Sequence, residues 1–566
     1  MKSTTLTLFL LSSVLCSLTS DLCAAKPKAP NFIIIYMDDL GWAQTSVRMM
    51  DSEPLSKHSF FETPNVERLA EMGTRFSNAY APTPTCTGSR VSIQLGQSSA
   101  RAQYRFVNDV LNKKQRPNGY AGSWTIATAV KGDENPHNYI TAHFGKGMTE
   151  KLNALGYDVT DEFEKYSGNG NLHGDKIGIQ DPRELPADNP KRIYSLIEDS
   201  VNFVNEHAGK RPFYMMVSHY AVHVKHAASQ KYLDKWQARY DALPNKPTDS
   251  KELYRFRKER KYDYAAMLEE ADQNLGHIID TLKAKGELDN TYIIFTSDNG
   301  SECIPADENG RRFNGPLQEG KYSAFEGGIR VPFIVSGPDI AGGAQCDTPV
   351  VQWDILPTFH DLSGNPTPLP ETIDGGSLKS VFTQRNQGSI ERRAPGLVFH
   401  FPSYYQVPLS CIRIGDFKFL RNMNTNEMKL FNVKDDYREQ HDLAASMPEK
   451  VSEMDKILRD YIDEVDGGSV QDVYQALYET IDDFEQREVV AYEKRMTALE
   501  ASQPADFEAQ KAKLIEANET KQRSFYATRE ITKRQETWPD WYTTARKTVE
   551  AEIGMTKGGK LRKQNK

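Results

Sequence analysis

The sequence has few cysteines, no excess of positive charge and no long apolar run beyond its N-terminus. Six cysteines are present in 566 residues, which is far below the density of small proteins whose folds depend on disulfides. The 70 Lys and Arg residues are outnumbered by 78 Asp and Glu residues, giving a net charge of -8. Nucleic-acid binders generally present a basic surface to the phosphates. The composition therefore argues against a disulfide scaffold, and we expect no nucleic-acid partner.

The long apolar run lies close to the N-terminus, from Leu6 to Leu18, between Lys2 and the small residues Ala24 and Ala25. This order is typical of a secretory signal that is removed on export. The run is too short to cross a bilayer, which takes about 20 apolar residues. We therefore predict a signal peptide over residues 1–25, a secreted or periplasmic protein and no transmembrane segment.

Short apolar runs alternate with segments of helical periodicity through the first two thirds of the chain. The apolar runs occupy residues 31–37, 213–218, 292–297 and 331–336. Helical periodicity is clear at residues 63–72 and 264–283. This alternation predicts an α/β fold in which a doubly wound sheet is flanked by helices.

The pattern changes near residue 375, where short strands replace the alternation. From residue 470 onward the chain is charged and helical in period, and it ends in a Lys-rich tail. We predict a catalytic α/β domain over 26–375, a small antiparallel α+β subdomain over 376–469, and a helical extension with a basic tail over 470–566.

Two pairs of residues with side-chain oxygen donors follow predicted strands. Asp38 and Asp39 come directly after the first strand, and Asp298 and Asn299 follow the strand at 292–297. Ligands of open α/β sheets collect at the carboxyl ends of the strands, and these hard oxygen donors suit calcium or magnesium. Either pair alone is also typical of an ordinary turn or cap.

A third feature is the run Cys-Thr-Gly-Ser-Arg that begins at Cys86 and ends at Arg90, followed by an apolar helical segment. A lone cysteine often serves as a small buried hydrophobe. At a helix N-terminus beside an arginine, however, its surroundings favour anions. The run is therefore a candidate site for a negatively charged substrate.

Taken together, these motifs make the sequence resemble the formylglycine-dependent sulfatases of the alkaline phosphatase superfamily, whose signature is Cys-x-Pro-x-Arg after an Asp-Asp strand. The resemblance covers nearly the whole chain after the signal. It rests on PNFIIIYMDDLGW at 30–42, TPNVERLAEMGTRFSNAYAPTPTCTGSR at 63–90, TSDNG at 296–300 and GPLQEGKYSAFEGGIRVPFIV at 315–335. It implies an alkaline-phosphatase-like, mixed doubly wound sheet and hydrolysis of sulfate esters, with an extracellular sulfated carbohydrate as the expected substrate.

The resemblance also implies roles for single residues. A separate formylglycine-generating enzyme is expected to oxidise Cys86 to formylglycine, and Arg90 is expected to steady the resulting aldehyde hydrate. The residues expected to hold one Ca²⁺ ion are Asp38, Asp39, the modified Cys86, Asp298 and Asn299. Lys146, His223 and Lys321 are expected to contact the sulfate or protonate the leaving oxygen. Without the resemblance, these three would be read as two surface lysines and a structural histidine.

The chain departs from the family pattern at two places. Gly88 stands where the signature usually has Pro or Ala, and the common Gly-Lys-Trp-His element is replaced by Gly145-Lys146-Gly147-Met148. The histidine that often helps to break down the sulfated intermediate is therefore missing, and we consider His143 or His219 as its replacement.

Several alternatives remain open at this point. A phosphodiester or phosphonate monoester hydrolase uses nearly the same site, and a non-catalytic homologue that binds sulfated glycans is a third interpretation. The basic segment at 252–264 is read as a solvated helix face or as a guide for a sulfated polymer. One disulfide among Cys303, Cys346 and Cys411 is considered without a pairing, and the sequence predicts no oligomeric state.

Overall fold

The computed structural model describes residues 28–132, 134–148, 151–161, 189–224, 226–243, 261–302, 314–384, 387–404 and 406–537. The predicted signal peptide, most of the basic segment, Cys303 and the Lys-rich tail lie outside these residues.

The main sheet has eight strands in the order β5-β4-β6-β1-β7-β8-β2-β9, and β3 and β10 form a separate parallel pair. The strands are β1 Asn31–Met37, β2 Thr74–Phe76, β3 Ala79–Tyr80, β4 Ile140–Gly145, β5 Val159–Thr160, β6 Phe213–Ser218, β7 Thr291–Ser297, β8 Phe333–Ser336, β9 Ala344–Cys346 and β10 Val350–Val351. β1 is parallel to both of its neighbours, β6 and β7, whereas β8 is antiparallel to β7 and β2. The prediction of a mixed sheet is confirmed.

Helices cover both faces of this sheet. They are α1 Pro64–Met72, α2 Cys86–Leu95, α3 Ser99–Ala102, α4 Val110–Gln115, α5 Ile126–Lys131, α6 Ile193–His207, α7 Gln230–Asp241, α8 Lys261–Ala284, α9 Glu326–Ile329, α10 Ile355–Leu362 and α11 Lys379–Thr383. Single 3₁₀ turns occur at Pro54–Ser56, Leu152–Leu155, Pro190–Arg192, Leu288–Asn290 and Gln352–Asp354.

The side chains of β1 alternate between two apolar cores. Ile33 and Ile35 pack in the core under α1, α6 and α8, whereas Phe32 and Ile34 pack in the core under α2, α5 and α10. Because a strand covered on both faces needs apolar residues at every position, the near-continuous run at 31–37 is explained by its central place in the sheet.

The C-terminal part contains a four-stranded antiparallel sheet, as predicted. Its strands are β11 Leu397–Phe401, β12 Leu409–Ile414, β13 Phe417–Asn422 and β14 Met428–Asn432. Helix α12 (Pro448–Glu464) packs on this sheet, and the helical extension consists of α13 (Val470–Ser502) and α14 (Phe507–Thr537). The predicted domain boundaries at 375 and 469 stay predictions.

The described cysteines are separate from one another. Cys86, Cys346 and Cys411 are free and buried, so the structure contains no disulfide between Cys346 and Cys411. Within the described ranges, no helix combines the length and apolar character needed to cross a bilayer.

A buried ion cluster joins the antiparallel sheet to the main domain. The Lys418 ammonium group on β13 is fully buried and lies 2.9 Å from the Glu326 carboxylate and 2.8 Å from the Glu439 carboxylate. Glu326 also pairs with Arg330 at 3.1 Å. Glu326 is the first residue of α9 in the main domain, and Arg330 directly follows this helix. The cluster therefore fixes the small sheet against α9.

We expect the substitution Lys418→Met to lower the free energy of unfolding by about 3–5 kcal/mol, because it leaves two buried carboxylates without their shared partner. Urea denaturation followed by circular dichroism measures this. The control is Lys456→Met, which removes an exposed ion pair with Asp460 and should change stability by less than about 1 kcal/mol. Equal effects of the two substitutions would contradict the prediction.

Candidate active site

The two pairs of oxygen donors, Asp38-Asp39 and Asp298-Asn299, meet at the carboxyl edge of the main sheet. β1 and β7 are parallel and in register up to Met37 and Ser297, so the residues that follow each strand emerge side by side. The backbone N–H of Asp39 donates to Oδ1 of Asp298 over 3.0 Å. Oδ1 of Asp39 accepts from the Asn299 amide over 2.8 Å. The sequence-based expectation that these residues lie together agrees with their positions in the structure.

Helix α2 brings Cys86 to the same edge as its first residue. The Cys86 thiol and one carboxylate oxygen each from Asp38 and Asp298 lie within 4.8 Å of one another, and all three residues are buried. The turn before the helix is held by Ser89, which donates to the Thr83 carbonyl over 2.9 Å and accepts from the Thr83 N–H over 3.2 Å. The position of the thiol is therefore set by the hydrogen bonds of this turn.

Gly88 is enclosed by the same turn. A Cβ atom at this position would lie 2.9 Å from Oγ1 of Thr83 and 3.1 Å from the Tyr104 carbonyl oxygen. Thr83 in turn accepts from the Thr85 N–H over 3.0 Å. Thr83 occupies the space that the Cβ atom of a Pro or Ala at position 88 would need, so a glycine is the residue that this turn accommodates without a close contact.

Arg90 connects the two sides of the site. Its guanidinium donates to Oδ2 of Asp298 over 3.0 and 2.7 Å, to the Lys146 carbonyl over 3.1 Å, and to the Ser218 hydroxyl. Burial alone would lower the pKa of Arg90, but the charges of Asp298 and Asp38 outweigh it and hold the pKa above its ordinary value. In this structure the guanidinium is thus turned toward Asp298, and Cys86 lies one helical turn before it.

Two lysines and a histidine face the aspartates. Lys146 Nζ lies 2.5 Å from Oδ2 of Asp38, and Lys321 Nζ lies 2.7 Å from Oδ1 of Asp39. Nε2 of His223 lies 3.7 Å from Oδ2 of Asp39. The structure therefore brings all the residues that were expected to contact sulfate to the same edge as the expected metal ligands.

The carboxylates respond differently to these charges. Burial raises the pKa of Asp38, but Lys146 and the other nearby cations reverse the effect and hold the pKa below its ordinary value. For Asp298, burial and the charge of Asp38 dominate over Arg90 and raise the pKa to about 7. Asp38 therefore readily stays ionised. A further positive charge near Asp298 would lower the pKa of this carboxyl group and favour its ionised form.

His223 is neutral at physiological pH. Burial lowers the pKa of this residue to about 4. Its Nδ1 lies 2.7 Å from the Val224 carbonyl oxygen, and because a carbonyl only accepts, Nδ1 carries the proton in the neutral ring. Nε2 therefore presents its lone pair to the site and can accept a proton from a bound group.

The residues at this edge fit an oxygen-bound divalent cation. Oδ1 of Asp38 and Oδ1 of Asn299 are buried without a hydrogen-bond partner, although buried polar atoms normally have one. Carboxylate and amide oxygens are the ligands that Ca²⁺ prefers. Both carboxylate oxygens of Asp39, in contrast, already have hydrogen-bond partners, because each lies within 2.8 Å of Lys321 Nζ or the Asn299 amide.

The structure gives no support to either histidine as a replacement for the missing one. His143 and His219 are 2% and 0% exposed. Burial lowers the pKa of His143 to about 3 and that of His219 to about 4. Both rings are therefore neutral and covered, and the role of either one as the replacement stays a prediction.

Ser218 is a site residue that the sequence reasoning missed. Its hydroxyl donates to the Lys146 carbonyl over 2.6 Å and accepts from Arg90, while its own carbonyl accepts from the Lys146 N–H over 2.7 Å. It therefore fixes the backbone that carries Lys146. The available signal was its place at the carboxyl end of the strand at 213–218, beside the strand that precedes Asp38.

We expect Ca²⁺ to raise the thermal unfolding midpoint of the protein, because a cation that binds only the folded state stabilises it in proportion to the logarithm of its concentration. The substitution Asp298→Asn should abolish most of this shift. The matched control Asp361→Asn removes a surface carboxylate paired with Lys379 and should retain it. Differential scanning calorimetry with and without chelator measures both, and an equal Ca²⁺ shift in the two variants would contradict the assignment.

The fold and this edge of buried acids and cations define a hydrolase of the alkaline phosphatase superfamily. The profile of the family described as Sulfatase matches residues 30–365, which is more than half of the chain. The protein belongs to the sulfatase family and is an enzyme that hydrolyses sulfate esters.

Curated relatives agree with this assignment. A sulfatase from Formosa agariphila is 26% identical over 494 residues, covering 74% of this chain and 85% of the relative. The N-acetylgalactosamine-6-sulfatase of Rattus norvegicus is 27% identical over 373 residues, covering 64% of this chain and 67% of the relative.

Two crystal structures show the same fold. Ps i-CgsB superposes with a TM-score of 0.59 at 24% identity, covering 77% of this chain and 93% of the other. The phosphonate monoester hydrolase of Agrobacterium radiobacter superposes with a TM-score of 0.53 at 19% identity, covering 77% and 96%.

Proposed function

We propose that the protein releases inorganic sulfate from a sulfated carbohydrate, using a formylglycine made from Cys86 and one bound Ca²⁺ ion. The observation that carries this proposal is the grouping of Asp38, Cys86 and Asp298 donor atoms within 4.8 Å of one another. Lys146 and Lys321 lie against the same acids. This grouping supports the proposal, because a thiol, two carboxylates and two ammonium groups lie close together at one edge of the sheet.

The cation would be held by Asp38 and Asp298 together with the modified residue 86, and Asn299 would add its unpartnered amide oxygen. When bound, Ca²⁺ would lower the pKa of an attached hydroxyl and offset the negative charge of the sulfate. A hydrated aldehyde at position 86 would provide both a nucleophilic hydroxyl and a second hydroxyl whose deprotonation expels sulfate. A serine has no second hydroxyl for that step.

The chain's own residues bind the anion and handle protons. Lys146 and Lys321 carry ammonium groups whose pKa values are raised: burial opposes the charged form, but Asp38 and Asp39 respectively outweigh it. Both therefore stay charged near the sulfate oxygens. Lys321 is proposed to protonate the oxygen of the departing alkoxide. The Nε2 lone pair of His223 faces the site, and His223 is proposed to exchange a proton with the same oxygen. Arg90 keeps Asp298 in place through its paired hydrogen bonds.

Maturation and export complete the proposal. The predicted signal over residues 1–25 would deliver the protein to a secreted or periplasmic location. A formylglycine-generating enzyme would be its maturation partner. The similarity to N-acetylgalactosamine-6-sulfatase supports a sulfated sugar as substrate.

A phosphonate or phosphodiester substrate is the second candidate, because the phosphonate monoester hydrolase shares the fold over 77% of this chain. The match of the sulfatase profile to residues 30–365 favours sulfate. An aryl sulfate and an aryl phosphate diester assayed side by side separate the two, since the proposed function requires faster hydrolysis of the sulfate.

We expect mass spectrometry of the peptide containing Cys86 to show the aldehyde in place of the thiol when the protein is co-expressed with a formylglycine-generating enzyme. The thiol should persist without that enzyme. Complete retention of the thiol under co-expression would favour a non-catalytic glycan-binding role instead.

We expect Lys321→Ala to lower kcat/KM for an aryl sulfate by about 10²–10³-fold, because it removes a buried charge that faces the reacting sulfate. Sulfate release measured by ion chromatography tests this. Lys379→Ala, which removes an exposed ion pair, is the matched control and should retain full activity. A loss of less than threefold in Lys321→Ala would remove this residue from the proposed machinery.

A further inference from the structure

Tyr322 directly follows Lys321, and its ring contacts the ammonium group of that lysine. Nζ of Lys321 lies 5.3 Å from the centroid of the Tyr322 ring, within the range in which a cation is attracted to an aromatic face. The same Nζ lies 2.7 Å from Oδ1 of Asp39, and the Lys321 side chain is 1% exposed. The ammonium group is therefore buried between a carboxylate and an aromatic ring.

The backbone at Tyr322 adopts an unusual conformation. Its φ of 74° lies in the left-handed region, which residues with bulky side chains rarely adopt unless their surroundings hold them there. The Tyr322 N–H donates to the Pro84 carbonyl over 2.8 Å, and the Lys321 N–H donates to the Ser301 carbonyl over 2.8 Å. These two hydrogen bonds fix the backbone of the pair to two other segments of the chain.

Tyr322 also packs against an apolar cluster, which we call the extension cluster. Four of its eight buried residues come from α13. The buried members are Phe106, Val110, Leu111, Phe401, Val473, Ala476, Leu477 and Ile481. Phe525 of α14 packs against the same cluster. The helical extension therefore supplies much of the apolar surface against which Tyr322 packs.

The extension cluster links two parts of the chain that differ in their relation to the family. Lys321 and Tyr322 lie within residues 30–365, which the sulfatase profile matches. The helical extension begins at Val470, more than a hundred residues beyond the end of that match. A segment outside the matched region thus packs against the residue next to the proposed proton donor.

We propose that Tyr322 is a positioning residue for Lys321, and that the helical extension supports it through the extension cluster. The inference rests on the proposed function, in which the S–O bond breaks, one proton moves from Nζ to the leaving oxygen and a neutral alcohol departs. A lysine has a long, flexible stem with many rotamers. The Tyr322 ring restricts where the ammonium group lies and, unlike a carboxylate, does not take up its proton.

Two esters of similar size and different leaving groups test this role. 4-Nitrophenoxide leaves readily without a proton, whereas the more basic phenoxide gains more from a proton donor. In the matured protein, we expect Tyr322→Leu to lower kcat/KM by about tenfold for phenyl sulfate and by about threefold at most for 4-nitrophenyl sulfate. Tyr322→Phe keeps the ring and should retain about half or more of the activity on both esters.

A double-mutant cycle shows whether the effect passes through Lys321. In protein that already carries Lys321→Ala, the ring has no ammonium group to hold, so Tyr322→Leu should change kcat/KM for phenyl sulfate by less than about twofold. The matched control is Tyr404→Leu, because Tyr404 packs against the same cluster and lies beside Phe106, with 5.9 Å between the ring centroids. This control should leave the ratio of the two kcat/KM values unchanged.

The contribution of the extension is tested on α14. Phe525 packs against the extension cluster, whereas the adjacent Tyr526 is 55% exposed. We expect Phe525→Ala to lower kcat/KM for phenyl sulfate by about two- to fivefold, with a smaller loss for 4-nitrophenyl sulfate, because a small displacement of the proton donor slows the step that needs it. Tyr526→Ala is the matched control and should leave both values unchanged.

The outcomes decide the two proposals separately. A larger loss on phenyl sulfate than on 4-nitrophenyl sulfate in both Tyr322→Leu and Phe525→Ala, absent from their controls, supports the inference. Equal losses on the two esters, full activity in either variant, an equal loss in Tyr322→Phe, or an undiminished effect of Tyr322→Leu beside Lys321→Ala overturns it. If circular dichroism shows that Tyr322→Leu does not fold, Phe525→Ala and Tyr526→Ala decide. The proposed function fails instead, and the inference with it, if the matured wild-type protein releases no sulfate from either ester.

Discussion

The site depends on the mutual neutralisation of three buried carboxylates and three buried cations. Asp38, Asp39 and Asp298 follow two adjacent parallel strands and are buried, so bulk solvent does not screen their charges. Burying an unpaired charge costs several kcal/mol, so their partners are essential to the fold as well as to chemistry. The partners are Lys146, Lys321 and Arg90, which come from three other parts of the chain. Loss of any one of these cations removes a charged partner from a buried carboxylate, so the cost of burying that carboxylate is no longer offset.

Much of the fold and the site was predictable because it follows from local patterns. The apolar run at 31–37 belongs to a strand covered on both faces, and the position of Asp38 and Asp39 after it follows from the parallel arrangement. The contacts of Ser218 and Leu409 were not predictable in this way. The contacts of Ser218 with Arg90 and Lys146, like those of Leu409 within the small sheet, join segments that are far apart in the chain, and neither residue type signals such contacts by itself. The replacement of the missing histidine by His143 or His219 stays a prediction, and the sequence spacing did not reveal that both rings are buried.

Gly88 shows how a departure from a family pattern can be read from its neighbours. In isolation it suggests a weakened signature. In the structure, Thr83 fills the space beside it and is tied to Thr85 and Ser89, so the turn before Cys86 is held by side-chain hydrogen bonds. A proline at 88 would stiffen the helix start through its fixed φ, whereas here the same turn is restrained from outside the helix. The hydrogen bonds of Thr83 and Ser89 hold the turn that places the thiol at the helix N-terminus.

The small sheet is held against the main domain by a buried group of charges. Its Lys418 is buried between Glu326 and Glu439, and Glu326 begins α9 of the main domain. The backbone N–H of Glu326 also donates to the Glu439 carboxylate over 2.7 Å. Because Lys418 belongs to β13 and Glu326 to α9, the ion cluster fixes the position of the strand relative to the helix. The attachment of the C-terminal sheet therefore depends on polar contacts as well as on its apolar core, and removing one charge leaves the others buried without compensation.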